Sequence, residues 1–548
     1  MNTRIGTLGG ALALVIVATA CAGTSTTDSA ETVVAVTAED GTALGSLGLS
    51  VNCGPAADTH LLRGVALLHN MTFTEAEAEF RAAAAAEPEC AFAYWGTATT
   101  FVHVLWPDSV SAARLEEGRE LLAQAQAATI RNARDDAYIA ALNGYYENAE
   151  ERSEAERLQA LLDGYAAASE ADPNNRETQA LLALSLISTA PRDPTYARQI
   201  QAGEMLASVL EAIPDHPGAM HYTIHAYDQP ELAERALDAA NSYGAVIPAN
   251  SHALHMTSHI FTRLGDWPES IDYNRRAANV AVDHPVNGRV SHHYLHALDY
   301  LAYAYLQQGR DDMARAVLEE MNGLAEMHDH AATTYAVAAV PVRLALEQRD
   351  WAAAAALDLE ADGRSEVQDY PAFVAMHAFG RGLGAAHAGD TAAAAAGVAE
   401  LERLRDAAGE MPGAYDWAAQ VEMQRLTLQS WVEFTAGQTE QALATAAAAA
   451  ELESQHPKNP VTPGVVLPAR EAYADMLFAV ERYADAIEQY RLNLDVNPNR
   501  YRSLLAAGDA ARLMGDEAAA REFYEQLLTV AAEGGRPELE TVREYLAS

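Results

Sequence analysis

The sequence predicts an all-α protein, a solenoid of helical hairpins following an N-terminal tether, and three observations lead there. From about Ala56 onward Ala, Leu, Glu and Arg dominate, with apolar residues three and four positions apart, the spacing that gathers them on one face of a helix. No segment reads as a convincing strand. The pattern also repeats: Ala486 and Tyr490, followed by Pro498, have counterparts in Ala520 and Tyr524, each 34 positions further on.

Composition bounds the function. At 548 residues, 50% hydrophobic and 21% charged, the chain is long enough for three domains or one extended repeat array and too apolar to be disordered as a whole. Its formal net charge of −41 repels phosphate backbones, so nucleic acid is excluded as a natural partner. The one lysine, Lys458, together with the long Ala runs, reads as genome composition or a saline habitat and carries no functional weight at this level.

Taken from the start, residues 1–20 have the layout of a signal peptide. A single cation, Arg4, precedes an apolar stretch from Leu8 to Ala18 that ends in small residues and is too short to remain as a spanning helix. Ala18-Thr-Ala-Cys21 resembles the lipobox of bacterial lipoproteins, which implies acylation of Cys21 and an exported, membrane-anchored protein facing the periplasm or cell surface; plain cleavage is the alternative. Residues 21–55, rich in Thr, Ser, Ala and Gly, read as a flexible tether. With Cys21 used by lipid, Cys53 and Cys90 are the pair available for a disulfide in an oxidising compartment, two buried thiols being the other reading.

The small and aromatic residues at 34-residue spacing, with prolines closing the second helix of each pair, resemble the tetratricopeptide repeat. Further copies carry Ala76, Phe80, Ala83 and Pro88; Tyr165, Ala168 and Pro173; Ala236 and Pro248; and Gly265, Trp267, Asn274 and Ala277. The resemblance covers most of residues 56–545. It implies a right-handed superhelix whose first helices line a concave surface, divided here into N-terminal repeats (56–215), a His-rich central group (216–330) and C-terminal repeats (331–548). The likeness extends to uncharacterised bacterial repeat lipoproteins with such a central segment.

Ten of the 18 histidines lie between His216 and His296. His221/His225, His255/His259 and His292/His296 are each four apart, and the first two pairs are offset from one another by the repeat period, so they occupy equivalent places in successive units. His252, His255 and His259 fall within roughly 60° on a helix, one stripe. After Gly265 the next turn glycine, Gly309, comes ten residues late, and counting back from it sets His296, Asp299 and Tyr303 where His252, His255 and His259 stand one unit earlier.

This pattern predicts a histidine-lined hollow for a transition metal or a small polar ligand, with His221, His225, His255, His259 and His296 as metal ligands. His252, His292, Asp299 and Tyr303 are expected around the ion or ligand, and Arg343 faces the same hollow either toward an acidic ligand or in a structural ion pair. Imidazole and carboxylate donors without cysteine suit Zn, Cu or Fe. Three protein ligands and an open position permit metal-assisted catalysis, while a closed four-ligand site does not; both remain open here. The competing reading is a non-catalytic scaffold whose groove holds a peptide or protein in envelope assembly. The remaining histidines, among them His60, His69, His103, His377, His387 and His456, read as satisfied core residues, and His216 and His284 as turn residues before proline. Pro460–Pro468 is either a plug across the groove or an ordinary connection. Phosphate-loop, Gly-x-Ser-x-Gly and His-Glu-x-x-His patterns are absent from the sequence.

Overall fold

The computed structural model describes residues 33–106, 110–359, 367–413 and 415–548. The chain folds as an all-α array of antiparallel helical hairpins preceded by one β-hairpin. The 34-residue period has a physical basis in packing: Ala486, Ala520 and Tyr490 are fully buried, and Tyr524 nearly so, in the helices Tyr483–Val496 and Glu517–Val530. The small residues admit close helix approach, and the tyrosines fill the space beside them. Among the described residues no helix is long and apolar enough to cross a membrane.

The N-terminal expectation needs correction. Strands Val34–Thr37 and Ala43–Leu47 pair antiparallel, and Leu47 is fully buried. Ser46 N–H donates to the Asp215 carbonyl, its hydroxyl to the Asp215 carboxylate, and Gly48 N–H to Glu177. Residues 34–49 are therefore docked and not a tether. Residues 1–32, with the signal segment and Cys21, lie outside the described residues. Cys53 and Cys90 are joined by a disulfide that ties the first helix, Pro55–His69, to the start of the helix Ala91–Thr99.

Three parts of the chain converge on the middle of the array and position the site. Helix Pro55–His69 reaches Pro217–Tyr227, where His69 meets Tyr222 and the following Asn70 accepts from Tyr243. The C-terminal hairpins return to the central ones: Trp267 donates to the Asn499 carbonyl, Asn499 to the Gly265 carbonyl, and Arg536 pairs with Asp311 at 2.7 Å. Gly265 has φ 68°, and a Cβ there would lie 2.5 Å from the Pro498 carbonyl, so glycine serves both the turn and the return contact. The Pro460–Pro468 segment packs on the central helices at Arg343 and Tyr303. Arg343 donates to the Val465 carbonyl, and Gly464 lies so close to Tyr303 that a Cβ would be 2.9 Å from its hydroxyl.

Candidate metal centre

Three helices carry the central imidazoles, and local sequence fixes each start. Pro217–Tyr227 begins with His216 as N-cap, its Nδ1 accepting from Ala219 N–H, and with Pro217 in the first turn. Ser251–Leu264 is capped by Asn250 and ended by Gly265; His292–Gln307 is capped by Ser291. Because residues four apart stand one above the other, each helix presents histidines as stacked pairs.

The structure sorts these rings into two adjoining triads. His221, His225 and His252 form one; His255, His259 and His296 form the other, and within each triad one ring nitrogen per residue lies within 4.8 Å of the others. The triads are neighbours, with ring centroids 6.4 Å apart for His225 and His259 and 6.5 Å for His252 and His255. All but His225 are buried.

Acceptor-only partners settle the tautomers. The Nδ1 of His221 lies 2.7 Å from the His69 carbonyl oxygen, and that of His259 is 3.0 Å from the Asp228 carboxylate, so both nitrogens must carry the proton. His255 Nδ1 is 2.7 Å from Asn274 Oδ1, whose amide nitrogen is spent on the Ser270 carbonyl. In each of the three rings Nε2 is left with an exposed lone pair. Yet the Nε2 atoms of His255 and His259 face one another at 3.0 Å, and His221 Nε2 is 3.1 Å from that of His225 and 3.2 Å from that of His252.

Protonation does not relieve this. Burial is the first cause holding all six imidazoles below the ordinary histidine value: to about 3 for His221, and well below for His225, His252, His255 and His296. For His259 burial outweighs the opposing pull of Asp228. Asp228 itself is pushed up by burial but held below the carboxylate range by Arg263, 2.6 Å away, and by Lys458, so it is a fixed anion behind His259.

Other expected residues fall elsewhere. His252, expected around the site, supplies a ring nitrogen to the first triad. His292 joins neither triad and lies 3.1 Å from His328. Asp299 does not reach the imidazoles: one oxygen accepts from Arg343 at 3.1 Å, the other has no hydrogen-bond partner, and burial raises its pKa. Arg343 thus takes the structural ion pair. Tyr303 falls outside the hollow, because His296 lies level with His255 and Tyr300 with His259, a register three residues off the one counted back from Gly309, and it packs on Trp267 and beneath the Arg343 guanidinium.

Besides Asp228, sequence reasoning missed other groups around the triads. Tyr300, one turn beyond His296, brings its hydroxyl 3.3 Å from His259 Nε2. Trp106 arrives from another repeat to pack against His252 and His296. Lys458 donates to the Thr462 carbonyl and is pushed down to about 7, first by burial and then by Arg263. A third acid–histidine group, His69, Glu177 and His216, is a closed hydrogen-bond network. Glu177 accepts from both rings and from Gly48, while His69 Nδ1 meets Tyr222 and His216 Nδ1 accepts from Ala219. It fits the core reading of His69, whose main-chain carbonyl holds His221.

No family model and no curated protein matches the chain. Among solved structures, a chain in the crystal structure of the APC/C hetero-tetramer Cut9–Hcn1 aligns over 89% of this chain and 76% of its own length, at 11% identity and a TM-score of 0.35. That likeness is too distant to bear on function, which rests on the residues themselves.

Proposed function

We propose that the protein is a metalloprotein holding two transition-metal ions, one in each histidine triad, with copper preferred. The observation that carries this reading is the 3.0 Å approach of two Nε2 atoms, on His255 and His259, whose Nδ1 protons are both committed to acceptors. Two lone pairs at that distance in a buried site repel unless a cation lies between them. Three rings from two helices are within reach of one ion at the usual metal–nitrogen distance of about 2.0–2.1 Å.

Charge favours copper. Six neutral imidazoles contribute no anion, the Asp228 carboxylate is already opposed by Arg263 and Lys458, and Asp299 is paired with Arg343. Two divalent ions would leave a large uncompensated buried charge unless they also bound hydroxide or another anion; two copper(I) ions leave far less. The rings' Nδ1 acceptors, Asp228, Asn274 and the His69 carbonyl, orient the ligands and raise their basicity. Three protein ligands per ion leave a position for water, dioxygen or a substrate donor, with Tyr300 beside it. Export and lipid anchoring through Cys21 belong to the same proposal; the Cys53–Cys90 disulfide supports an oxidising compartment.

Elemental analysis of protein purified without an affinity tag and loaded with copper tests the reading. About two equivalents per chain are expected, falling to about one in His255→Ala/His259→Ala with helicity retained. Less than a tenth of an equivalent in the wild type, with no thermal shift on adding copper or zinc, would count against it.

A further inference from the structure

Outside both triads, four further histidines gather at one place: His292, His293, His328 and His330. All line a cavity of about 1110 Å³. His292 and His293 open one helix, and His330, at the end of the loop that follows the helix Asp311–Asn322, caps Ala331–Glu347. That loop is held against the first helix's start by His328 N–H donating to the Val290 carbonyl. This brings His292 Nδ1 and His328 Nδ1 to 3.1 Å, with the rings of His293 and His330 centred 4.0 and 4.2 Å from that of His292.

The cluster leads inward. From His293 the next ring is His252 at 5.2 Å, and from His252 it is His221 at 4.9 Å, inside the first triad. The Nδ1 atoms of His293 and His252 are both buried without a hydrogen-bond partner. Trp106 closes the side of this series, its ring 5.2 to 6.0 Å from His330, His252, His292 and His293. The cavity wall also includes Glu39, Asp40, Glu75, Glu79 and Asp329 against the single guanidinium of Arg63, a charge balance that concentrates cations.

Resting on the two-ion reading, we propose that His292 and His328, with His293 and His330 beside them, form a third, labile copper site, through which copper passes from the cavity by way of His293 and His252 into the triads. The ion moves by exchange of one imidazole for the next and changes neither charge nor oxidation state. Such a site must bind more weakly than the triads, and its half-buried rings facing the cavity suit that role.

The test uses copper(I), supplied anaerobically as its acetonitrile complex, with affinity measured by competition against a chromophoric chelator and filling followed by quenching of tryptophan fluorescence. The wild type should take two tight equivalents and one weaker one. His292→Ala/His328→Ala should keep the tight pair, lose the weaker equivalent and fill at least tenfold more slowly, and His292→Asn/His328→Asn, closer in size, should behave likewise. Filling at the wild-type rate, or retention of the weaker equivalent, overturns the proposal. In His221→Ala/His255→Ala/His259→Ala the weaker equivalent should persist. A wild type with no tight copper, but with a weaker equivalent that disappears with His292 and His328, would refute the two-ion reading while leaving this site standing.

Discussion

Replacing Asp228 by Asn probes the link between tautomer and metal. The carboxylate, 3% exposed, accepts from His259 Nδ1 at 3.0 Å and from Arg263 Nε at 2.6 Å. An amide has one acceptor atom, and the guanidinium, which cannot do anything but donate, claims it. The NH₂ group then faces His259 Nδ1, which must become an acceptor, so the ring proton moves to Nε2 and removes the lone pair from the second triad. Loss of such an orienting partner typically costs 10- to 100-fold in metal affinity, or about 1.4–2.7 kcal/mol. The first triad keeps its tautomer, because His221 is held by the His69 carbonyl, and Asp228 reaches it only through its charge at His225. Competition against a chelator of known affinity should therefore show one site weakened by that factor and one unchanged, and circular dichroism should show the helices intact. Two sites of wild-type affinity in Asp228→Asn would refute the reasoning, and so would equal weakening of both.

Three further outcomes are expected. Lys458, being the only lysine, gives one ¹³C-dimethyl-lysine NMR signal after reductive methylation; it should titrate near 7, and a midpoint above 9.5 would contradict its placement. Because its folded value is depressed, the unfolded chain binds the extra proton between about pH 7 and 10.5, so this group makes stability rise with pH in that window, by at most about 1.4 kcal/mol per pH unit. Cys53→Ser opens a loop of separation 37 and should cost roughly 4 kcal/mol in chemical denaturation, with no loss expected if the disulfide is absent in the purified protein. Cys21→Ser should abolish incorporation of labelled fatty acid and release the protein from membranes; unchanged membrane association would exclude the lipid anchor.

The repeat class and the heart of the site were legible because both are periodic. A 34-residue offset carries His221/His225 onto His255/His259, and hairpin stacking turns that offset into adjacency. The division into two triads was not legible, because it depends on which turn of one helix lies level with which turn of the next: His252 falls opposite His221, and His296 opposite His255. Counting back from Gly309 set the register three residues off for Asp299 and Tyr303, whereas Tyr300, four residues after His296, stood on a face already marked. Trp106 and Lys458 come from distant repeats, and no local pattern announces them; the lone lysine was discounted as composition although its charge acts on Asp228. The β-hairpin did carry a signal, the β-branched run Val33-Val34-Ala35-Val36-Thr37, but its pairing is completed by Asp215, far along the chain.

The central claim is most directly tested by anomalous diffraction at the copper edge from crystals of the copper-loaded protein. The account predicts two strong peaks, one among the Nε2 atoms of His221, His225 and His252 and one among His255, His259 and His296, each about 2 Å from its ligands. A map with no peak in either triad, and ordered water or an imidazole–imidazole hydrogen bond in its place, would contradict it.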